Sequence, residues 1–187
     1  MQKKQRLYRP TASRFKDIIT PAGKKSMAWG RYREEIIKWT LAVDEEEDGY
    51  TSEWMQRGKD IEQEARSVYA EIKGKDVVVP GFAFNREHKC GCYLDGAFAG
   101  GAIEIKCPKP ANFVKLVERG IVPAIHTPQL QGSLLVTGLD YIDFVGYCPG
   151  RKLFVRRVFR DFFYIGKLIY FLKDFNDLLE QEYFACL

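Results

Sequence analysis

The sequence predicts an α/β fold in which helices flank a central sheet, within one domain of residues 1–187. A chain of 187 residues, of which 46% are hydrophobic, is long enough to bury one core. Apolar residues recur at spacings of three and four before Gly74 and after Asp161, which indicates helices. Short runs between Val77 and Val158 alternate with period two, which indicates strands. No apolar run approaches the roughly 20 residues that span a bilayer, so we expect a soluble, cytoplasmic protein without membrane contact.

Two helices are predicted near the start of the chain. Thr11 and Ser13 offer hydroxyl caps for a short helix that Pro21 and Gly23 would end. A second helical stretch, Met27 to Val43, stops at the acidic run 44–48, which we interpret as a solvated loop.

A longer helix and a group of strands follow. Thr51 or Ser52 can cap the helix, and Gly74 ends it. Its predicted buried stripe comprises Trp54, Gly58, Ile61, Ala65, Val68 and Ile72. The next segments alternate with period two and predict an antiparallel meander with the turn GAFAGG before its last strand. These strands are Val77 to Val79, Phe82 to Asn85, Cys92 to Asp95 and Ala102 to Lys106.

The second half of the chain is predicted to contain three helices and a hairpin. One helix runs from about Ala111 to Gly120, and another begins at Thr127 and ends at Gly138. Two alternating runs surround Pro149-Gly150 as a hairpin, namely Tyr141 to Cys148 and Leu153 to Val158. Asp161 then caps a final helix with one apolar stripe, formed by Ile165, Leu168, Ile169, Leu172, Phe175 and Leu179.

Positive charge is concentrated in two segments, although the net charge is only +4. The first 33 residues contain ten Lys or Arg against a single acid, Asp17, and the run Arg151 to Arg160 contains five and no acid. Two such segments are typical of a nucleic-acid channel, while ordinary solvated surfaces are the alternative interpretation.

The five cysteines are an odd number without a CxxC pair, and we expect them to be reduced thiols. Cys90 and Cys92 would share one face of a strand. Simple packing is favoured for this pair over metal binding.

A group of charged residues in the predicted sheet indicates catalysis. Period two places Glu104 and Lys106 on the face opposite Ile103 and Ile105. Asp95 precedes Glu104 by nine residues, so the hairpin folds it back beside that carboxylate. Two carboxylates can hold Mg²⁺, and an adjacent ammonium can position or help deprotonate a water that attacks a phosphodiester. The alternative is a partly buried Glu–Lys pair that ties the sheet together.

These residues resemble the core of the PD-(D/E)xK nuclease superfamily, with Leu94 in place of the usual proline. The later motifs resemble one branch, the lambda-type phage exonucleases or YqaJ-like viral recombinases. The matching segments are RLYRPTAS (Arg6 to Ser13), WMQRGKDIEQEAR (Trp54 to Arg66), Cys107-Pro108 and Gln129-Leu130-Gln131.

The resemblance implies a restriction-endonuclease-like core with a mixed central sheet flanked by helices. It implies a Mg²⁺-dependent exonuclease, with Mn²⁺ as a substitute, that digests double-stranded DNA ends 5′ to 3′. The single strand left behind would pass to an annealing protein in phage-type homologous recombination. It also implies a homo-oligomer, for which a trimeric ring is one form, and a phage or prophage origin in a bacterial host.

The resemblance also assigns the centre of the site. Asp95, Glu104 and the carbonyl group of Ile105 would hold the metal. Lys106 would be catalytic.

Glu62 and Gln129 would complete the catalytic site by the same resemblance. Glu62 lies one turn after Gly58, which would let the helix approach the sheet closely, and Gln129 could orient Lys106 or the water. Without the resemblance, Glu62 is an ordinary solvated acid and Gln129 a surface amide.

Four further residues match DNA-binding positions of the family. Arg6 and Ser13 match residues that bind a terminal 5′-phosphate, and Lys24 and Lys25 match basic residues that line the strand path. Taken alone, Arg6 is a tail charge and Ser13 a helix cap. His126 either faces DNA or is a plain loop histidine.

Two other functions compete with this interpretation. A structure-selective or restriction-like endonuclease could be built on the same core. A non-catalytic adaptor that binds DNA ends during recombination is the candidate from another class. Digestion of linear and closed circular duplex with Mg²⁺ distinguishes the three.

Overall fold

A computed structural model describes residues 9–41 and 53–186. The chain begins with a 3₁₀ helix at Ala12–Asp17 and continues through α-helices and short strands. The α-helices are α1 (Trp29–Leu41), α2 (Glu53–Lys73), α3 (Pro110–Arg119), α4 (Thr127–Thr137) and α5 (Phe162–Ala185). The acidic run 44–48, the caps Thr51 and Ser52, and Arg6 lie outside the described residues.

The strands form a mixed sheet and a separate hairpin. The mixed sheet has the order β3 (Gly96–Phe98), β4 (Gly101–Lys106), β5 (Tyr141–Gly146) and β6 (Phe154–Phe159). Its outer pairs are antiparallel, whereas β4 and β5 are parallel. The predicted sheet flanked by helices is therefore confirmed.

The prediction of one continuous meander is wrong. Strands β1 (Ala83–Asn85) and β2 (Cys90–Cys92) form their own antiparallel pair, and Val78 contributes only an isolated bridge to Ala97. The segment GAFAGG is not all turn, because its first three residues are β3 and the reversal occurs at Ala99-Gly100.

The parallel pairing of β4 and β5 follows from the connection between them. Parallel strands need a crossover of a dozen or more residues, and α3 and α4 both lie in this one. Each of these helices ends where predicted, because Gly120 (φ 65°) and Gly138 (φ 76°) adopt the left-handed conformation that glycine accepts without strain. The crossover returns the chain beside β4, and Gln129 on α4 donates a hydrogen bond to Glu104 on β4.

The core lies on both faces of the mixed sheet. One face packs against α1, α4, α5 and the 3₁₀ helix through side chains that include Phe15, Leu134 and Phe175. On the other face Ile103 and Ile105 pack against α2.

The buried side of α2 is rotated from its predicted stripe. Tyr69 is buried, whereas Ile72 is 62% exposed. Ala65, four residues before Tyr69, is fully buried as predicted.

Cys90 and Cys92 are buried free thiols in the larger core cluster, as the packing interpretation predicts. Burial raises the pKa of each thiol to about 12. None of the described helices combines the length and apolar content that a membrane crossing needs.

Candidate active site

Glu104 is the centre of a buried polar cluster on β4. Its side chain is 1% exposed, and its Oε1 accepts hydrogen bonds from Lys106 Nζ at 2.5 Å and Gln129 Nε2 at 2.6 Å. Its Oε2 is buried and has no hydrogen-bond partner within the described part of the chain. A buried carboxylate oxygen without a partner carries a desolvation cost, so this atom is suited to a ligand.

Asp95 lies beside Glu104, as the hairpin predicts, because Gly96 pairs with Ile103. Its Oδ2 accepts a hydrogen bond from the Ile105 amide at 2.7 Å, and its backbone carbonyl accepts one from Arg66 Nε at 2.6 Å. The N–H and C=O of a strand residue point to the same side. The Ile105 carbonyl therefore faces the same edge of β4 as Asp95.

Glu62 on α2 belongs to the same electrostatic cluster. Burial raises its pKa, and the charge of Asp95 raises it further, while Lys106 and Arg66 oppose the shift. The proposed reason for its approach is wrong, because a side chain at Gly58 would meet open space. The fully buried Ala65 instead packs α2 against the sheet, and Tyr69 on the same helix donates a hydrogen bond to Asp143 on β5 at 2.7 Å.

The three carboxyl groups are held in an environment that disfavours their charge. The pKa of Glu104 is raised to about 7, chiefly by burial and then by the charge of Asp95, while Lys106 opposes the shift. Burial also raises the pKa of Asp95, against the Ile105 amide and Lys106. A further cation near these groups would favour their charged forms.

The donors suit a hard cation that keeps part of its water shell. No three His, Cys, Asp or Glu side chains in residues 9–41 and 53–186 form a group that could hold a metal ion. Mg²⁺ is commonly bound through only one or two carboxylates, with water and substrate oxygens completing its coordination. The unpartnered Glu104 oxygen and the neighbouring Asp95 fit that requirement.

A cavity of about 320 Å³ opens beside this cluster, and we call it the site cavity. It is lined by Ser13, Lys16, Lys106, Ile125, His126 and Gln129. Thr11 is the N-cap of the first 3₁₀ helix, but its side chain makes no capping hydrogen bond, so its predicted capping role is wrong. Ser13 lies within this helix and not at its cap position. Its hydroxyl instead lies 3.3 Å from that of Thr11.

Sequence reasoning did not single out Lys16, and it gave no individual role to Arg66. Lys16 lies three residues after Ser13, and residues at this spacing eclipse one another in a 3₁₀ helix. That spacing would have identified Lys16 had the predicted helix been recognised as 3₁₀. Ile125 was missed as well, because nothing in its local pattern indicates a cavity wall.

Lys24 and Lys25 do not line the site cavity. The Lys24 amide donates to Thr20 Oγ1 at 3.1 Å, and the Lys25 ammonium lies 4.1 Å from the centre of the Trp29 ring. Their proposed DNA contacts stay predictions.

Three of the five cations in the second basic run make hydrogen bonds within the protein, and the interpretation of this run as a channel wall stays a prediction. Arg156 donates to the Gly120 carbonyl, and Arg160 donates to the carbonyls of Leu134 and Leu139. Arg157 forms a two-pronged ion pair with the buried Asp143, at 2.9 and 3.1 Å.

Comparisons with known proteins identify a family and similar folds. The family model of the YqaJ-like viral recombinase domain matches residues 3–140. No curated protein matches the chain. The chain is similar to an alkaline exonuclease, LHK-Exo from Laribacter hongkongensis, with 28% identity, 97% of this chain and 92% of that chain covered, and a TM-score of 0.83.

Two further structures were matched. LHK-Exo in complex with dAMP has 27% identity, with 99% of this chain and 94% of that chain covered and a TM-score of 0.85. A phage related exonuclease from Haemophilus somnus 129PT has 14% identity, with 93% and 96% covered and a TM-score of 0.66, and this likeness concerns the fold alone. The predicted PD-(D/E)xK-like fold is confirmed.

Proposed function

The chain belongs to the YqaJ-like viral recombinase family, and from this premise we propose that it is a metal-dependent exonuclease that digests duplex DNA ends 5′ to 3′. The family and its exonuclease relatives support a DNA exonuclease role. The observation that carries the proposal is the buried carboxylate of Glu104. It accepts hydrogen bonds from Lys106 and Gln129 and lies beside Asp95.

Asp95, Glu104 and the Ile105 carbonyl are the proposed ligands of Mg²⁺, for which Mn²⁺ can substitute. When bound, such an ion supplies charge neutralisation at the phosphate and a water of lowered pKa. The raised pKa values of Glu62, Asp95 and Glu104 support this assignment, because a nearby dication would favour their charged forms.

The remaining residues prepare the reacting groups. Lys106 is held at 2.5 Å from Glu104 Oε1 and is one-third exposed, so its ammonium can reach both an attacking water and the charge that develops on the phosphate. Gln129 donates to the same oxygen, which fixes the carboxylate plane. Arg66 fixes the backbone of Asp95 through its carbonyl.

Recognition of the DNA end is assigned to the N-terminal segment. Ser13 lines the site cavity, and with Arg6 it is proposed to bind the terminal 5′-phosphate, while Lys24 and Lys25 line the strand path. The complex of LHK-Exo with dAMP, a nucleoside monophosphate, supports a mononucleotide product. The same proposal includes a single-strand annealing protein as partner and a homo-oligomer in the form of a trimeric ring. It also places the protein in the cytoplasm of a bacterial host, encoded by a phage gene.

Digestion of labelled duplex tests the function. Linear duplexes with 5′-phosphate or 5′-hydroxyl ends and a closed circle are incubated with Mg²⁺ or with chelator. We expect release of mononucleotides from linear DNA only, from the 5′ end, with Mg²⁺ and with a preference for the 5′-phosphate. Cutting of the circle would indicate the endonuclease, and binding without digestion would indicate the adaptor.

Replacement of Arg6 tests the assignment of the end-binding pocket. A charge-assisted hydrogen bond contributes roughly 1.5–3 kcal/mol, so Arg6→Ala should reduce the preference for 5′-phosphate by about 10- to 100-fold. Equal slowing on both ends would make Arg6 a general contact of the basic surface.

A further inference from the structure

The two lysines of the site cavity lie in different electrostatic surroundings. Lys106 forms an ion pair with Glu104 and has Asp95 and Glu62 nearby. Lys16 is exposed in the cavity wall, and in the described part of the chain it has neither a hydrogen bond nor an ion pair. The positive charge of Lys16 is therefore available to a ligand.

Other cations of the same basic segment are engaged within the protein. Arg14 pairs with Asp17 and with Glu35, the latter at 2.8 Å. Arg33 binds Glu182 through two nitrogens, at 2.7 and 3.0 Å. Structural pairing thus accounts for these two arginines but leaves Lys16 unexplained.

His126 lies in the site cavity within the electrostatic reach of both lysines. Burial, together with the charges of Lys106 and Lys16, lowers its pKa to about 4. The imidazole is therefore neutral near neutral pH. Attraction of an anion into this part of the cavity depends on the lysines.

The 3₁₀ helix gives Lys16 a second donor as its neighbour. Ser13 and Lys16 lie on the same side of this helix because residues three apart eclipse one another, and both line the site cavity. A hydroxyl and an unpaired ammonium on one wall are donors suited to the oxygens of a phosphate group.

We propose that Lys16 binds a phosphate of the DNA substrate in the site cavity, which it lines together with Lys106. The proposal rests on the proposed function and adds a binding residue to it. Lys16 has no contact with the carboxylates, so its contribution is to substrate affinity and not to the chemical step. The bound group is either the terminal phosphate or an internal one.

The test compares Lys16→Met with a matched control, Lys173→Met. Lys173 is an exposed lysine on α5 whose partner is Asp177 in the next turn, and it does not line the site cavity. Binding of fluorescent duplexes with 5′-phosphate or 5′-hydroxyl ends is measured in chelator over a range of salt concentrations. Steady-state digestion with Mg²⁺ then separates KM from kcat.

Loss of a phosphate contact should lower affinity by about 10-fold or more and reduce the slope of log K against log salt by about one. Lys173→Met should leave both unchanged. KM should rise for Lys16→Met, with kcat close to that of the wild type. An effect confined to the 5′-phosphate duplex assigns the terminal phosphate, and an equal effect on both duplexes assigns an internal one.

Unchanged affinity and salt slope on both duplexes would overturn the proposal, as would a loss of kcat at constant KM. A wild-type protein that digests no duplex would refute the proposed function instead. The binding measurements in chelator do not depend on cleavage, so the two failures are distinguishable.

Discussion

Glu104→Gln should stabilise the metal-free protein while abolishing its nuclease activity. Glu104 is buried with one unpartnered oxygen, and the raised pKa of its carboxyl shows that the fold disfavours its charge. Glutamine has nearly the same shape and can still accept the hydrogen bond from Gln129. The substitution therefore removes a buried charge without creating a cavity.

The magnitude follows from the two protonation equilibria. A folded-state pKa of about 7 against an ordinary value of 4.5 means that the folded protein retains this proton over a pH range in which the unfolded chain has lost it. Stability from this group is present at low pH and is lost as pH rises toward 7. The charge of Glu104 therefore lowers the free energy of unfolding of the metal-free wild type by about 3 kcal/mol at pH 8 and by less than about 1 kcal/mol at pH 5.

A buried amide without a partner costs about 1 kcal/mol in the variant at either pH. The expected net gain is thus about 2 kcal/mol at pH 8 and near zero at pH 5. Urea unfolding in chelator at the two pH values measures it, with the exposed Glu71→Gln as control. Saturating Mg²⁺ should remove the advantage of the variant, because the ion would bind the folded wild type.

Two results would refute this reasoning. One is a variant less stable than wild type at pH 8 in chelator. The other is a stability difference that is the same at pH 5 and pH 8, because a difference independent of pH cannot arise from the titration of Glu104.

Two further predictions concern other charged groups. Lys106→Ala should lower kcat by about two orders of magnitude or more with little change in Mn²⁺ affinity, and a change confined to KM would make it a binding residue. Asp143→Ala should lower the free energy of unfolding by about 2–4 kcal/mol, because Tyr69 and Arg157 lose their acceptor. Burial would raise the pKa of Asp143, but the hydrogen bonds from Arg157 and Tyr69 outweigh it and lower the pKa. The ion pair therefore stabilises the fold above pH 3.8, the ordinary pKa of Asp, and this contribution is lost on acidification below that pH. If urea titrations show that Asp143→Ala loses as much stability at the lower pH, the ion pair is not the cause.

Helix boundaries were accessible from the sequence because their causes are local. Asp161 accepts a hydrogen bond from the Tyr164 amide at 2.9 Å at the start of α5, as its position predicts. Gly120 and Gly138 end α3 and α4 through a conformation that glycine adopts readily.

Strand partners were less accessible, because pairing depends on segments distant in the chain. The hairpin beside Asp95 has a local cause, and its register was predicted. The parallel partner of β4 lies beyond two helices, and no local period indicates it.

The same contrast holds for the candidate site. The strand period correctly placed Glu104 and Lys106 together, and the resemblance brought in Glu62 and Gln129, which the fold places beside them. The structural roles of Arg156 and Arg157 could not be predicted, because each depends on an acceptor in another element. Charge density along a sequence does not distinguish cations paired within the fold from those available to DNA.

The hydrogen bond from the Ile105 amide to Asp95 also bears on association between chains. Strand β3 pairs with β4 only as far as Ile103, so within residues 9–41 and 53–186 the outer side of β4 beyond that residue has no neighbouring strand. The Asp95 carboxylate occupies this gap by accepting the Ile105 amide. Unpaired amides at a sheet edge invite strand addition by another molecule, and Asp95 satisfies the Ile105 amide within the chain. Asp95→Ala should self-associate more than Asp95→Asn, whose amide oxygen can still cover the edge, and loss of solubility is thus separable from loss of catalysis at this residue.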